Sequence, residues 1–444
     1  ASSWHGELDS MKAWIGGRMN WLDANMPAGN GNCNAISQLK VVIDEINYNS
    51  DSTLNAGDWI ELYNYGTTVA DISSAIITNG NNLESYCVIP PNTLLGPGQR
   101  LVVYEDSLQF ATVHPTVTNK IGPLCFKLNN NGQRIEMHDS NNAFVYGVTY
   151  DDQFPWPEIT DGYGRTLQLI NVANLPNQYN SWRAGCVGGS PGLPYSPCDQ
   201  ENPIITEVNY NAAITSDAGD WFEFYNKSNS ALNVGGYKIK VHASNNSYTI
   251  PNGVNIPANS YLIIHSNDVK FNSIYPFAIS KSGPTNLDIN NTKEIFSIYS
   301  PSGILNYSLL IESSNGWPAL CNGTGRTLDN LNYTINQNSP STWIDGCLLG
   351  SPGAIYDPGC KPLSVSTNQI KAQIDLYPNP ASQIIYLHSS VKVQEISLFD
   401  VTGKIRLTTH ETSSIHVESL LPGMYYVKLQ DDKGNNYIKH FIKE

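Results

Sequence analysis

The chain has 444 residues, 40% of them hydrophobic, so it is long enough for about three domains that each bury a core. Its formal net charge is −14, and no cluster of Lys and Arg lies on a candidate strand, which argues against nucleic acid as a partner. No apolar run approaches the ~20 residues that a helix needs to span a bilayer, so no transmembrane segment is expected.

Residues 1–36 differ from the rest of the chain. Within them, apolar residues recur at steps of three and four, which predicts one amphipathic helix. These residues are Trp4, Leu8, Met11, Ile15, Met19 and Leu22. A single amphipathic helix needs a partner to cover its apolar stripe. We therefore interpret 1–36 as the helical remnant of an upstream domain, and we expect the chain to be a mature or C-terminal fragment.

Two long segments repeat one another at an offset of 161 or 162 residues. The motif AGDWIELYN at 56–64, for example, returns as AGDWFEFYN at 218–226. The repeat predicts two copies of one domain, at 37–200 and 201–360. Short runs rich in Val, Ile, Tyr and Phe alternate with Gly, Pro, Asn and Asp in each copy, and no helical period is visible. Each copy is therefore predicted to be an all-β sandwich.

The repeated motif AGDWIELYN places a carboxylate between two aromatic residues. As a strand, it directs Ile60 and Leu62 to one apolar face, which we predict to be the core face. The other face is expected to be half covered and to point outward, as a platform for a surface glycan or protein or as the cover of a sheet edge. Its members are Trp59, Glu61, Tyr63, Trp221, Glu223 and Tyr225. Asp58 and Glu61 point to opposite sides, so they do not form a glycosidase pair.

No catalytic or cofactor-binding residue is predicted. GGSPG at 188–192 satisfies the pattern G-x-S-x-G, but Pro191 follows the serine and has no N–H to donate to an oxyanion. Neither an HExxH motif nor a short histidine pair occurs, which disfavours a metal-dependent hydrolase. Calcium is a secondary interpretation of the Asp- and Asn-rich loops at 47–58 and 209–220. These loops lack EF-hand spacing, and Asx turns explain the same residues.

Eight cysteines favour an oxidising compartment. The disulfides that we predict join Cys186 to Cys198, Cys347 to Cys360, and Cys87 to Cys125. Pairing of Cys321 with Cys347 is the alternative, and Cys33 has no assigned partner. The sequence contains no CxxC motif, so a zinc site with that spacing is not predicted.

The end of the chain is a separate module. Residues 361–373 are polar and carry no pattern, as in a linker. Residues 374–444 form several short β-type runs, with hairpin turns predicted at 401–404 and 431–434, where Gly is available for positive φ. We therefore predict a small C-terminal β-sandwich.

The repeated domain resembles the bacterial lamin-tail domain. The residues that carry the resemblance are EINYN (45–49), DWIELYN (58–64) and the closing stretch GYGRTL…SW…GGSPG (162–192), each with a counterpart in the second copy. The resemblance implies an immunoglobulin-like sandwich in each copy. It also implies an accessory role on a secreted protein, in binding or spacing and not in catalysis.

The last module is similar to the type A C-terminal sorting domain of the type IX secretion system of Bacteroidetes. The similarity lies in YPNPAS (377–382), FDVTGK (399–404), SLLPGMYYVKL (419–429) and IKHFIKE (438–444). The motif residues are Tyr377, Pro378, Asn379, Pro380, Gly403, Lys404, Gly423, Tyr425 and Lys443. The resemblance implies export through the periplasm to the outer-membrane surface. It also implies recognition by the translocon and its outer-membrane partner barrel, and removal of the module near the linker.

The opening segment 4–29 is similar to the final helix of the spore-coat kinase-like CotH family, whose catalytic residues would lie upstream. We therefore expect a secreted, surface-displayed and non-enzymatic region whose lamin-tail domains serve in adhesion or as spacers. One alternative is an acid-dependent hydrolase that uses carboxylates on the lamin-tail surface. The other is an accessory region of an upstream CotH-like kinase.

Overall fold

The computed structural model describes most of the chain. The described residues are 14, 18, 37–80, 86–196, 198, 201–333, 337–356, 358–359, 374–389, 391–400, 404–410, 413–432 and 436–444. Of the predicted N-terminal helix, only Trp14 and Arg18 are described, both in helical conformation, and the predicted linker at 361–373 lies outside the described residues. The chain divides into two compact units, 1–196 and 197–444.

The first unit contains one β-sandwich. Its elements are β1 (Val41–Asn47), β2 (Trp59–Asn64), β3 (Ala70–Asp71), β4 (Ile76–Thr78), β5 (Tyr86–Val88), β6 (Leu94–Leu95), β7 (Arg100–Tyr104), α1 (Ser107–Val113), β8 (Lys120–Ile121), β9 (Gln133–His138), β10 (Phe144–Tyr150), β11 (Arg165–Leu169) and β12 (Trp182–Val187). One sheet has the order β12-β11-β1-β2-β7-β8 and the other β10-β9-β4-β5, and β3 pairs with β6. All pairs are antiparallel except β7 with β8.

The core lies between the two sheets. Ile60 and Leu62 of β2 are fully buried in it, as the alternation predicts, and Ile135 and Met137 of β9 belong to the same apolar cluster. Burial of this apolar surface is the main force that holds the sheets face to face.

The second unit begins with an equivalent sandwich. Its elements are β13 (Ile204–Asn209), β14 (Trp221–Tyr225), β15 (Leu232–Asn233), β16 (Lys238–Val241), β17 (Asn246–Thr249), β18 (Asn255–Ile256), β19 (Tyr261–His265), α2 (Asp268–Ile274), β20 (Lys281–Ser282), β21 (Lys293–Tyr299), β22 (Leu305–Glu312), β23 (Arg326–Asn330) and β24 (Trp343–Leu348). The sheets have the orders β20-β19-β14-β13-β23-β24 and β17-β16-β21-β22, with β15 paired to β18. The strand order of the larger sheet repeats that of the first sandwich.

Helices α1 and α2 occupy equivalent places in the two sandwiches. Asp106 caps α1 by accepting the Leu108 amide at 2.8 Å, and Asn267 caps α2 in the same manner. Each helix buries one aromatic residue, Phe110 or Phe271. Neither helix was visible in the sequence, because a helix of seven residues is too short to show a clear helical period.

The C-terminal module is a third β structure. Its strands are β25 (Ile374–Tyr377), β26 (Ile384–Ser389), β27 (Val393–Asp400), β28 (Ile405–Thr409), β29 (Ser414–His416), β30 (Gly423–Asp431) and β31 (Asn436–Lys443). They form the sheets β25-β26-β29 and β28-β27-β30-β31 around a core that includes Ile385, Leu398 and Phe441. The prediction of an all-β fold is thus confirmed, with two short helices added.

Candidate functional sites

Each sandwich buries a pair of glutamates on its central strands. In the first sandwich, the register of β1 and β2 places Glu45 directly opposite Glu61, beside an irregularity between Ile43 and Glu45. Both glutamates are fully buried. Glu45 was not singled out from the sequence as the partner of Glu61, although a glutamate begins both EINYN and EVNYN.

A loop from the end of the domain seals these acids. Ser190 donates its backbone N–H to Glu45 Oε1 at 2.9 Å, and the Gly192 amide donates to Glu61. Thr166 donates its hydroxyl to the same Glu45 oxygen at 2.6 Å. Gly189 has φ +79°, and a Cβ there would lie 2.7 Å from Glu45 Oε1. The GGSPG stretch is therefore a cap over buried carboxyls, because its amides supply the hydrogen bonds that burial would otherwise deny them.

The buried acids of the first sandwich have unequal proton affinities. Arg100 Nε lies 2.9 Å from Asp44 Oδ2 and 3.2 Å from Glu61 Oε1. Burial raises the pKa of Asp44 to about 6, that of Glu45 to about 7 and that of Glu61 to about 10. At neutral pH the Asp44 carboxylate therefore pairs with Arg100, while Glu61 keeps its proton.

The second sandwich repeats the paired glutamates and their loop cap, without the arginine and with Thr206 at the position of Asp44. Glu207 accepts from the Ser351 amide at 2.8 Å and from the Thr327 hydroxyl at 2.6 Å, and the Gly353 amide donates to Glu223. Burial raises the pKa of both glutamates well above the usual value. Tyr261 stands where the first sandwich has Arg100, and Asp329, whose pKa burial raises to about 7, stands where it has Gln168.

The prediction that Trp59, Trp221 and the other members of this face point outward is mostly wrong, because another layer of each domain covers them. Trp59 is fully buried and packs against Phe110 of α1, with ring centroids 6.0 Å apart. Trp221 packs against Phe271 of α2 at 6.1 Å in the same manner. With Glu61 and Glu223 also buried, the only partly accessible members of this face are Tyr63 and Tyr225.

The two tyrosines make local contacts at the edge of this covered layer. The Arg100 guanidinium lies 4.0 Å from the centre of the Tyr63 ring. Tyr225 packs against Tyr261 and Tyr333, each at 4.9 Å between ring centroids. These contacts leave no open aromatic platform on the described surface of β2 or β14.

The Asp- and Asn-rich loops use their side chains within the fold. In the first loop, Asn47 donates to the Gly57 carbonyl at 2.7 Å and Asp58 accepts from the Leu128 amide at 2.7 Å. These bonds fix the loop against its neighbours, as expected for Asx-type turns.

The second loop borders a polar cavity of about 410 Å³. Asp217, Asp220, Asp288 and Lys270 are among its lining residues. Lys270 Nζ lies 2.5 Å from Asp217 Oδ2, and Asp220 accepts from the Ile289 amide at 2.9 Å. The lysine cation thus already neutralises part of the acidic wall, and calcium binding stays a secondary prediction.

The cysteines among the described residues are either disulfide-bonded or free thiols. The disulfide-bonded ones in the described part of the chain are Cys186, Cys198 and Cys347. Their sulfurs are therefore not free to bind a metal. Cys33 and the predicted partner Cys360 lie outside the described residues. Cys321 is a buried thiol in contact with the Tyr210 hydroxyl at 3.2 Å, so the alternative pairing of Cys321 with Cys347 is wrong.

Cys87 and Cys125 are neighbours in the first sandwich. The Cys125 amide donates to the Cys87 sulfur, and both residues are thiols. The disulfide that the sequence predicted between them is not formed in this structure.

In the C-terminal module, the YPNPAS segment is held against the last strand. Asn379 accepts from the Ile442 amide at 2.9 Å and donates to the His440 carbonyl at 3.3 Å. Ala381 forms a parallel bridge with Lys443. The beginning and the end of the module are therefore joined in one place.

The predicted motif residues of this module divide into an exposed set and a buried set. The exposed residues are Tyr377, Pro378, Asn379, Pro380, Lys404 and Gly423. Tyr425 is buried, stacks on Phe441 at 5.6 Å and donates its hydroxyl to the Leu421 carbonyl at 2.8 Å. Lys443 is also buried, and Gly403 lies outside the described residues. The YPNP segment is thus accessible to another protein while the buried members hold the module together.

Two family models match parts of the chain. Residues 34–152 and 198–334, together more than half of the chain, match the lamin tail domain family, and residues 375–444 match the secretion system C-terminal sorting domain. No match was found among curated proteins. None of the helices among the described residues is long and apolar enough to cross a membrane.

Two solved structures are distantly similar to the chain. Dimeric latent PorU from Porphyromonas gingivalis is 10% identical, with a TM-score of 0.13; the match covers 91% of this chain but only 34% of PorU. A second structure, which describes the structural basis for Dscam isoform specificity, is 9% identical, with a TM-score of 0.14. The match covers 92% of this chain and 100% of that chain. Likenesses at this level carry no conclusion about the chain.

Proposed function

We infer the function of the two sandwiches from the premise that the chain belongs to the lamin tail domain family. Its type IX sorting domain directs it to the cell surface or outside the cell. We propose that the two lamin-tail domains are non-catalytic modules, which bind a surface glycan or protein or act as spacers. We also propose that the exposed YPNP segment contributes to recognition by the translocon and its outer-membrane partner barrel.

The observation that carries the non-catalytic proposal is the burial of the paired glutamates. Glu61 is 0% and Glu223 1% exposed, and the loop amides of Gly192 and Gly353 occupy one oxygen of each carboxyl. A general acid or base must lie within hydrogen-bond reach of the substrate proton that it transfers. Sealed acids are better suited to holding the closing loop against the central strands.

Removal of residues 374–444 tests the route of export. In a bacterium with a type IX secretion system, the full chain should be cleaved by protease added to intact cells, and the truncated chain should be protected in the periplasm. Surface exposure of the truncated chain would refute the proposal that this module carries the export signal.

Point variants test the YPNP segment more finely. Asn379→Ala removes both hydrogen bonds to β31 and should reduce surface display. Lys392→Ala changes an exposed residue of the same module outside the motif and should leave display unchanged. Equal display of the two variants would refute a role for the segment.

A hydrolase is the second candidate, because the raised pKa of each glutamate is a common property of catalytic acids. Purified chain with Glu61→Gln and Glu223→Gln would be compared with the parent on glycan and phosphodiester substrates. Loss of a measurable hydrolysis with the fold retained would favour this candidate over the binding role.

The opening segment supports a third proposal. We propose, from its resemblance to the final CotH helix, that residues 1–36 continue a kinase-like domain of a longer Bacteroidetes protein, to which the lamin-tail domains are accessory. Sequencing the gene upstream of the codon for Ala1 tests this. An upstream reading frame without kinase-like motifs would refute it.

A further inference from the structure

The first sandwich brings two thiols together at the edge of its smaller sheet. Cys87 lies in the middle of β5, the edge strand of that sheet, and Cys125 lies in the connection between β8 and β9. The Cys125 amide donates to the Cys87 sulfur. The two sulfurs also lie 3.8 and 3.6 Å from the same atom, the carbonyl oxygen of Pro123. Both thiols therefore contact the same backbone segment and are neighbours at this edge of the sheet.

The second sandwich provides an internal comparison. Its Gly283-Pro284 corresponds to Gly122-Pro123, which places Asn286 at the position of Cys125, and Tyr248 stands at the position of Cys87. Cys87 pairs across the strands with Ile77, and Tyr248 pairs in the same way with Ile239. Both cysteines are thus replaced together in the second copy.

The segments that the cysteines bring together are joined differently in the second sandwich. Asn246 of β17 donates to the Asn286 carbonyl at 3.0 Å, and the Tyr248 hydroxyl contacts Ser282 Oγ at 2.9 Å. Polar side chains therefore attach β17 to this connection. In the first sandwich the adjacent thiols occupy the same place. A covalent bond between them would attach β5 to the equivalent connection.

We propose that Cys87 and Cys125 form a redox site, whose disulfide fastens β5 to the β8–β9 connection when the chain reaches an oxidising compartment. A disulfide donor, either a thiol–disulfide oxidoreductase or oxidised glutathione, supplies the oxidant. The Cys125 thiolate attacks the donor disulfide, forms a mixed disulfide and releases one donor thiol. The Cys87 thiolate then attacks the Cys125 sulfur, which forms the protein disulfide and releases the second donor thiol. Two protein thiols are oxidised, and one donor disulfide is reduced.

Accessibility sets this order of reaction. Cys125 is exposed, whereas Cys87 is buried. Burial raises the pKa of the Cys87 thiol to about 12, with further contributions from the Cys125 side chain, so Cys87 is the poorer first nucleophile. Once Cys125 is bonded to the donor, the contribution of its thiol to that rise is lost.

Differential alkylation of the full chain tests the proposal. The chain would be equilibrated in reduced and oxidised glutathione buffers, quenched with acid, unfolded, alkylated, digested and analysed by mass spectrometry. We expect a linked peptide pair containing Cys87 and Cys125 in the oxidised buffer and at least a tenfold loss of alkylation at both residues. Full alkylation of both residues after equilibration of the folded chain at the oxidised poise and subsequent unfolding would overturn the proposal.

Three variants test the order of reaction and the specificity. Cys87→Ser should accumulate a glutathione adduct on Cys125, while Cys125→Ser should leave Cys87 almost unmodified. Cys321→Ser is the matched control, since Cys321 is a buried thiol of the second sandwich, and it should leave the linked peptide unchanged. Faster modification of Cys87 than of Cys125 would overturn the proposed order. The parent chain alone decides whether the bond forms, even if a variant fails to fold.

Discussion

Replacement of Glu61 by glutamine tests whether the buried carboxyls serve the fold. Burial raises the pKa of Glu61 to about 10, and the nearby charges of Asp44 and Glu45 add to the rise while Arg100 opposes it. The carboxyl is therefore neutral at pH 7. Glutamine has the same shape and no charge, and its carbonyl can still accept the Gly192 amide. We expect the variant to fold.

The size of the effect follows from proton linkage. The ordinary pKa of glutamate is 4.5, so between pH 4.5 and about 10 the folded protein holds a proton that the unfolded chain has lost. Raising the pH across this window therefore favours unfolding, by at most about 1.4 kcal/mol per pH unit. Glutamine removes this dependence. From pH 5 to pH 7 the stability of the variant relative to the parent should rise by up to about 2.7 kcal/mol.

Urea unfolding monitored by hydrogen-exchange mass spectrometry measures this change in the first sandwich alone, because peptides of β1 and β2 report on that domain. Glu136→Gln is the matched control, because Arg134 and His138 lower the pKa of that partly exposed carboxyl. The control should not gain stability as the pH rises. An unchanged pH slope in the Glu61 variant would refute the reasoning.

Three further substitutions have distinct expected effects on urea or thermal unfolding. Arg100→Ala leaves the buried Asp44 carboxylate without its cation and should lower the free energy of unfolding by about 3–5 kcal/mol at pH 7. The loss should be smaller at pH 4, where Asp44 is protonated, and a loss independent of pH would contradict the ion pair. Gly189→Ala places a methyl group against Glu45 at positive φ and should cost about 2 kcal/mol, so an unshifted Tm would argue against the close cap. Leu349→Gly relieves a non-glycine residue at φ +68° and should raise stability by about 0.5–1 kcal/mol; a loss would show that its side-chain packing matters more.

The internal repeat and the strand alternation predicted the all-β fold and the buried positions of β2. The repeat and the alternation can both be seen directly in the order of the residues. Ile60 and Leu62 lie in the core because residues two apart on a strand share a face, and the sequence displays that spacing directly. The YPNP segment could likewise be located from its own residues.

The cover over the other face of β2 could not be predicted in this way. Alternation shows that Trp59 and Glu61 share a face, but it cannot show that a segment far along the chain closes over it. The Gly192 amide that reaches Glu61 is 131 residues away. The glutamates and the GSPG stretch are present in both copies, which was a signal that they interact. This signal did not show where they lie relative to one another.

The short helices and the cysteine state were missed for other reasons. Seven residues of α1 include a single buried position, Phe110, so no apolar period could appear. For Cys87 and Cys125, the sequence predicted proximity, and the structure brings them together. Whether two adjacent thiols are oxidised depends on the redox potential of the compartment, which is not encoded in the local sequence.

Fusion of residues 374–444 to a periplasmic reporter protein measures most directly whether this module is an export signal. In a bacterium with a type IX secretion system, the fusion should reach the cell surface or the medium, and the same fusion with Asn379→Ala should do so less efficiently. Retention of the intact fusion in the periplasm would contradict the account.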